Sequence, residues 1–242
     1  MASILDRYGI KEVADVTFYE IDANGDPGKP VLYLDTLKVS TIEQTAENTS
    51  ARGGKGNPEL ITWDYNKEVN VTLEDALFSP KSMAIMFGDV DGVAENDTET
   101  VITKTIRKSQ NISDDDSTVK FEFGGKTVTL VGAKGYDKDG KETDTEDDIV
   151  YYKGTITTTG SYKIEINPDK FPGNYYVTGD TYARSEADGT DEFFQFVMPK
   201  VKILSENTLT MEAEGDPTVF NMNLKVLKPA KGAMMQLIQY TI

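Results

Sequence analysis

The feature that most limits what this chain folds into is a two-residue alternation of apolar and polar side chains. Val69, Val71 and Leu73 alternate with Asn70 and Thr72, the period of a half-buried strand. Leu37, Val39 and Thr41 alternate more loosely with Lys38, Ser40 and Ile42. The stretch from Thr118 to Val131 reads as a hairpin. Val119, Phe121 and Phe123 share one face, Val128 and Leu130 lie across from them, and Gly124-Gly125 supplies the tight turn. Tyr162, Ile164 and Ile166 alternate after Gly160. Val201 and Ile203 are expected to turn through Ser205-Glu206-Asn207 into Leu209 and Met211, and Val219–Leu227 and Met234–Ile242 read as two closing strands. The expected fold is mainly β.

Helix signals are few. Thr72 has the chemistry to cap a short helix through Leu77, with Glu74 and Asp75 in its first turn. Ser79-Pro80 is the stronger start, since Ser caps and Pro fits the first helical position. Met83, Ile85, Met86 and Phe87 then read as core packing, and Gly88 stands where a helix stops. Asp22–Pro30 reads as a turn between strands. Glu47–Pro58 reads as a polar, Gly-rich excursion, long for a plain connection.

Composition then removes whole classes of function. The 242 residues include 41 Asp+Glu, 25 Lys+Arg, no His and no Cys, for a net charge of −16. No disulfide framework, thiolate zinc site or Ser-His-Asp triad is possible. So acidic a chain is not expected to wrap a nucleic-acid backbone over a broad surface. The 38% hydrophobic content is too rich for disorder, yet no apolar run reaches membrane-spanning length. Met1–Asp6 carries no basic-then-apolar pattern, so synthesis in a cytoplasm without a secretory signal is expected. The Asn-x-Ser/Thr triplets starting at Asn48, Asn70, Asn96 and Asn111 then read as chance matches in a Thr-rich chain. The charge is local: Asp89–Asp148, including acidic Asp89–Thr100 and Lys134–Asp148, holds 16 acids against 8 bases. From Phe193 onward there are 4 acids against 5 bases.

Several strings carry possible chemistry. Gly124-Gly125-Lys126-Thr127 echoes the end of a phosphate loop, but Lys120 stands where the motif needs Gly and a strand follows. Asp137, Asp139 and Glu146 fall at positions 3, 5 and 12 of a calcium loop. Gly135 occupies position 1 and flanking helices are missing, which leaves a solvated acidic loop or an irregular hard-cation site. Asp64, Glu74 and Asp75 lie near the sole Trp63, but sequence does not place two carboxylates across a cleft. Arg52-Gly53-Gly54-Lys55-Gly56-Asn57 is a small basic loop in an acidic chain. It suits either phosphate or the acidic surface of another subunit. No catalytic residue and no cofactor is expected.

Two long segments resemble a known family. One runs from Thr49-Ser-Ala-Arg-Gly-Gly-Lys-Gly-Asn-Pro through Trp63-Asp-Tyr-Asn-Lys to Gly88. The other runs from Tyr175-Tyr-Val-Thr-Gly-Asp-Thr-Tyr-Ala-Arg-Ser185 through Val197-Met-Pro-Lys to Tyr240. Both resemble the tail tube (major tail) proteins of tailed bacteriophages, particularly those infecting Gram-positive hosts. The resemblance implies a β-sandwich with a short packed helix, formed by residues 1–88 and 175–242. It implies inner strands joining an inter-subunit β-barrel in a hexameric ring, and rings stacking into a tube that conducts DNA without binding it specifically. In such proteins a loop between strands reaches the next ring, and Glu47–Pro58, with Arg52–Asn57 at its centre, suits that role. Tape measure, tail terminator, baseplate and sheath proteins are the implied partners, with no membrane. Residues 89–174 fall outside the resemblance and read as an acidic insertion or extra lobe. Another tail or baseplate component, or a carbohydrate-binding β domain with Trp63 and Tyr platforms, remains open.

Overall fold

The computed structural model describes residues 7–89, 99–108, 112–115, 118–206, 209 and 219–240. Most of the stretch between Asp89 and Thr100, the turn and return strand expected around Asn207 and Met211, the triplet starts Asn96 and Asn111, and Thr241-Ile242 lie outside these residues. The chain forms two compact units, one from Met1–Val93 and Ile164–Ile242, the other from Ala94–Lys163.

The first unit is built on a nine-stranded antiparallel sheet. Its strands are β1 (Tyr8–Ile10), β2 (Asp15–Ile21), β3 (Pro27–Leu34), β4 (Leu37–Arg52), β5 (Glu59–Asp75), β11 (Asn174–Ser185), β12 (Asp191–Ile203), β13 (Phe220–Val226) and β14 (Gln236–Tyr240). The order is β3-β2-β11-β12-β13-β5-β4, with β1 also on β11 and β14 also on β12. Phe18, Leu32 and Leu34 come from one end of this order, and Val71, Leu73 and Leu224 from the other. All six lie in one buried cluster with Val177, Met198 and Ile203. A flat sheet cannot bring its two ends together, so this one curls over a single core as an open sandwich. At the β3 edge, Pro27 and Pro30 pair with Ile21 and Tyr19.

The single α-helix among the described residues, α1 (Pro80–Phe87), plugs the core with Ile85 and Met86. Its start follows the sequence signal. The Ser79 hydroxyl accepts from the Ser82 amide, the Ser82 hydroxyl accepts from the Ser79 amide, and Pro80 opens the first turn. It ends at Gly88, φ +79°, where a Cβ would come within 2.6 Å of the Phe171 carbonyl carbon. Both the left-handed backbone and the close approach require glycine. Next, the buried Asp89 carboxylate accepts from Lys170 Nζ at 2.8 Å and from the Glu165 amide at 2.9 Å.

Two expectations are corrected. The Thr72 helix does not form, because β5 continues to Asp75. Thr72 is flanked by Asn223 and Thr41, so ladders on both sides occupy this backbone, and Leu73 points into the core at strand period. Tyr162–Ile166 is not a strand, and Tyr162 and Ile166 stand exposed.

The second unit is a five-stranded antiparallel sheet of β6 (Thr100–Arg107), β7 (Ile112–Asp115), β8 (Thr118–Phe123), β9 (Lys126–Tyr136) and β10 (Tyr151–Thr158). Its order is β6-β10-β9-β8-β7. Ile106, Val119, Phe121, Leu130 and Tyr152 form its own core. The β8–β9 hairpin turns at Gly124 and Gly125, φ +57° and +73°, the mirror-image turn that matches strand twist. Its two chain ends lie side by side: Thr100 pairs with Thr158, and the Thr100 and Ser161 hydroxyls are 2.6 Å apart.

Candidate assembly surface

The segment read from sequence as a long polar excursion is mostly strand. β4 and β5 pair from Leu37–Asp75 out to Arg52–Glu59, and only Gly53–Pro58 remains as a turn. β13 supports β5 between Val69 and Asp75. Beyond that, among the described residues, Thr45–Arg52 and Glu59–Glu68 pair only with each other and are exposed almost throughout. At ~3.3 Å per residue this arm extends about 25 Å. An isolated two-stranded ribbon is marginally stable in water, so the arm calls for another surface.

Polar contacts hold its outer end. Arg52 donates to Glu59 at 3.0 Å, and the Thr62 hydroxyl to the other Glu59 oxygen at 2.5 Å. The Thr62 bond, then Ser50 and Arg52, hold the Glu59 carboxyl below the usual range. At the tip the Gly53 amide bonds the Pro58 carbonyl and the Asn57 amide the Gly54 carbonyl, with Gly54, Gly56 and Asn57 at positive φ. Arg52 is thus tied into the strand end, and Lys55 is the charged residue of the turn itself.

The remaining sequence-derived candidates scatter. Asp137 Oδ1 accepts from the amides of Asp139 and Lys141 at 2.9 Å, so that carboxylate folds its own turn, while Glu146 opens a 3₁₀ turn. Among the described residues, no three His, Cys, Asp or Glu side chains are grouped to hold a metal ion. Asp75 is buried at the far end of β5 from Asp64, accepting from Thr36 at 2.5 Å and from the Leu77 amide at 3.2 Å. Gly124-Gly125-Lys126-Thr127 is the hairpin turn and the start of β9. No helix among the described residues is long and apolar enough to cross a membrane.

Sequence reading missed a second surface. Tyr182, Phe193 and Tyr240 sit opposite one another across β11, β12 and β14, with ring centroids 5.3 Å apart at each step. All five residues of β14 are exposed and uncharged. The near-neutral charge of the last fifty residues was the available signal.

The body is mainly β, with a short helix and an arm exposed on both faces. The family model of the YomU/Tube protein family matches residues 8–239. The chain belongs to that family, and thereby to the tube proteins of phage tails. No curated protein matches the sequence.

Proposed function

We propose that copies of this chain close into hexameric rings that stack into the tail tube of the virion, and that phage DNA passes through the lumen during ejection. The observation that carries this reading is the β4–β5 arm, about 25 Å of paired strand with no third strand beside it among the described residues. Such a ribbon gains its missing contacts when a neighbouring subunit covers it. A heterologous contact of this kind repeats one patch against a different patch and closes by rotation. The strand edges join those of neighbours as an inner barrel, which removes exposed edges. The net charge of −16, multiplied around a ring, suits a conduit that repels phosphates.

The role is structural, without catalysis, and assembly takes place in the host cytoplasm. Further partners are the tape measure, tail terminator, baseplate and, in a contractile tail, sheath proteins. The arm reaches the adjacent ring with Arg52–Asn57 at its leading end, and the five-stranded unit is carried as an addition to the tube-forming body. Electron microscopy of the purified protein tests the reading: rings and stacked tubes with six-fold end views are expected. A monodisperse monomer at all concentrations, or a different ring symmetry, contradicts it. Deleting Gly53–Asn57 should leave the circular dichroism spectrum unchanged and stop tube growth.

A further inference from the structure

Apolar residues of β5 stand at odd-numbered positions on both sides of an irregularity: Ile61, Trp63 and Tyr65, then Val69, Val71 and Leu73. The second set points into the core. Strand alternation alone would put the first set on the same face. The register shows otherwise. Thr45 pairs with Glu68 and Glu47 with Tyr65, so β5 spends one more residue than β4 between these pairs. The extra residue is a β-bulge at Asn66-Lys67, with Asn66 at φ +52°. β4 runs regularly from Val39 to Ala51, so its alternation carries the face across the bulge. Gln44, opposite Val69, lies on the core side, while Glu47, Thr49 and Ala51 lie on the other side, opposite Tyr65, Trp63 and Ile61. One inserted residue has therefore turned the apolar series of β5 from the core face to the reverse face of the arm.

The result is an amphipathic ribbon. One face carries Ile61, Trp63 and Tyr65, each 51–54% exposed. The other carries Asn48, Ser50, Thr62 and Asp64, with Ser50 and Thr62 in hydroxyl contact at 3.3 Å. We infer that the Ile61-Trp63-Tyr65 face, directed by the Asn66-Lys67 bulge, is the surface with which the arm docks on a second copy of this chain. This rests on the tube reading and specifies which face of the arm makes the contact. Trp63 and Tyr65 offer roughly 200 Å², taking half of 150–250 Å² for each ring, and Ile61 adds its aliphatic surface. A stable pair needs about 800 Å² from each partner. A single arm is too small to hold a lone partner, and it becomes effective when the same contact repeats around a ring of copies. The ladder of exposed Tyr182, half-buried Phe193 and exposed Tyr240 offers an aromatic surface of matching chemistry.

Trp63 is the sole tryptophan, so the wild-type protein reports on this contact. On assembly its emission should shift to shorter wavelength and its quenching by acrylamide should fall several-fold. Deleting Lys67, or combining Ile61→Ser with Tyr65→Ser, should reduce tube yield at least ten-fold with circular dichroism unchanged, whereas Ser50→Ala on the opposite face should not. If wild-type tubes form while Trp63 stays as quenchable as in free subunits, the inference is overturned and the tube reading stands. Shielding of Trp63 by another tail protein but not by copies of the chain also overturns it. If the wild type forms no assembly at all, the tube reading falls and takes this inference with it. The quenching measurement needs no variant, so a variant that misfolds does not blunt it.

Discussion

Two glycines and one carboxylate set the sharpest expectations at the scale of single residues. Gly88→Ala forces a Cβ into a left-handed position against the Phe171 backbone, and about 1–3 kcal/mol of stability should be lost in urea unfolding. Gly179→Ala should cost a similar roughly 1–3 kcal/mol, since its new methyl meets the buried Phe196 ring. Asp89 tests pH dependence. The hydrogen bond from Lys170, then that from the Glu165 amide, holds its carboxyl below the usual aspartate range. A carboxyl depressed on folding stabilises above its unfolded pKa and loses that contribution as pH falls through the folded one. Wild type should therefore lose its advantage over Asp89→Asn as unfolding is followed from neutral pH to below pH ~4. Equal acid sensitivity of the two proteins contradicts this. Ser79-Pro80 and Gly88 were legible in the sequence because helix ends obey local rules. The partners of Asp89 and Gly179 were not, because Lys170 lies 81 residues away and Phe196 reaches Gly179 only through strand pairing.

Elements that pack on the core and elements that do not differ in how well sequence betrays them. Val69–Leu73 and the Gly124-Gly125 hairpin were readable because a buried face imposes alternation and a mirror-image turn demands glycine. Glu47–Arg52, within the Glu47–Pro58 excursion expected from sequence, forms strand although its residues are mostly polar on both sides of the chain. A strand with no core behind it has nothing to enforce a hydrophobic pattern. Ile61, Trp63 and Tyr65 do alternate, but the bulge that decides their face is visible only as a register shift. The helix signal at Thr72 failed because pairing with two strands outweighs a local cap. In the free subunit, amides of Thr45–Arg52 and Glu59–Glu68 should exchange with deuterium far faster than those of Val69–Leu73, and should become protected on assembly. Equal protection in the free protein would mean that the arm is already covered.

At the scale of the whole chain, the five-stranded unit has the anatomy of an insertion. Thr100 pairs with Thr158 where it begins and ends, and in the nine-stranded body Asp89 already bonds the Glu165 amide. Replacing the residues between Asp89 and Glu165 with a short Gly/Ser linker should leave the remaining unit folded, with a single cooperative thermal transition. A protein that no longer unfolds cooperatively contradicts this. Sequence reading placed the acidic middle apart because its composition differs. The compact unit ends at Lys163, and the return to the body at Ile164 carries no break in composition. The curl of the long sheet was likewise hidden, since no local pattern states that β3 and β4 end over one core. That sheet has unequal flanks. β3 lacks two amide donors, at Pro27 and Pro30, whereas β4 carries no proline along its full length. In polymer terms β3 is a terminated chain end, where an incoming strand finds gaps in the donor row. A strand arriving at that flank makes fewer backbone bonds than one arriving at β4, which disfavours open-ended pairing there.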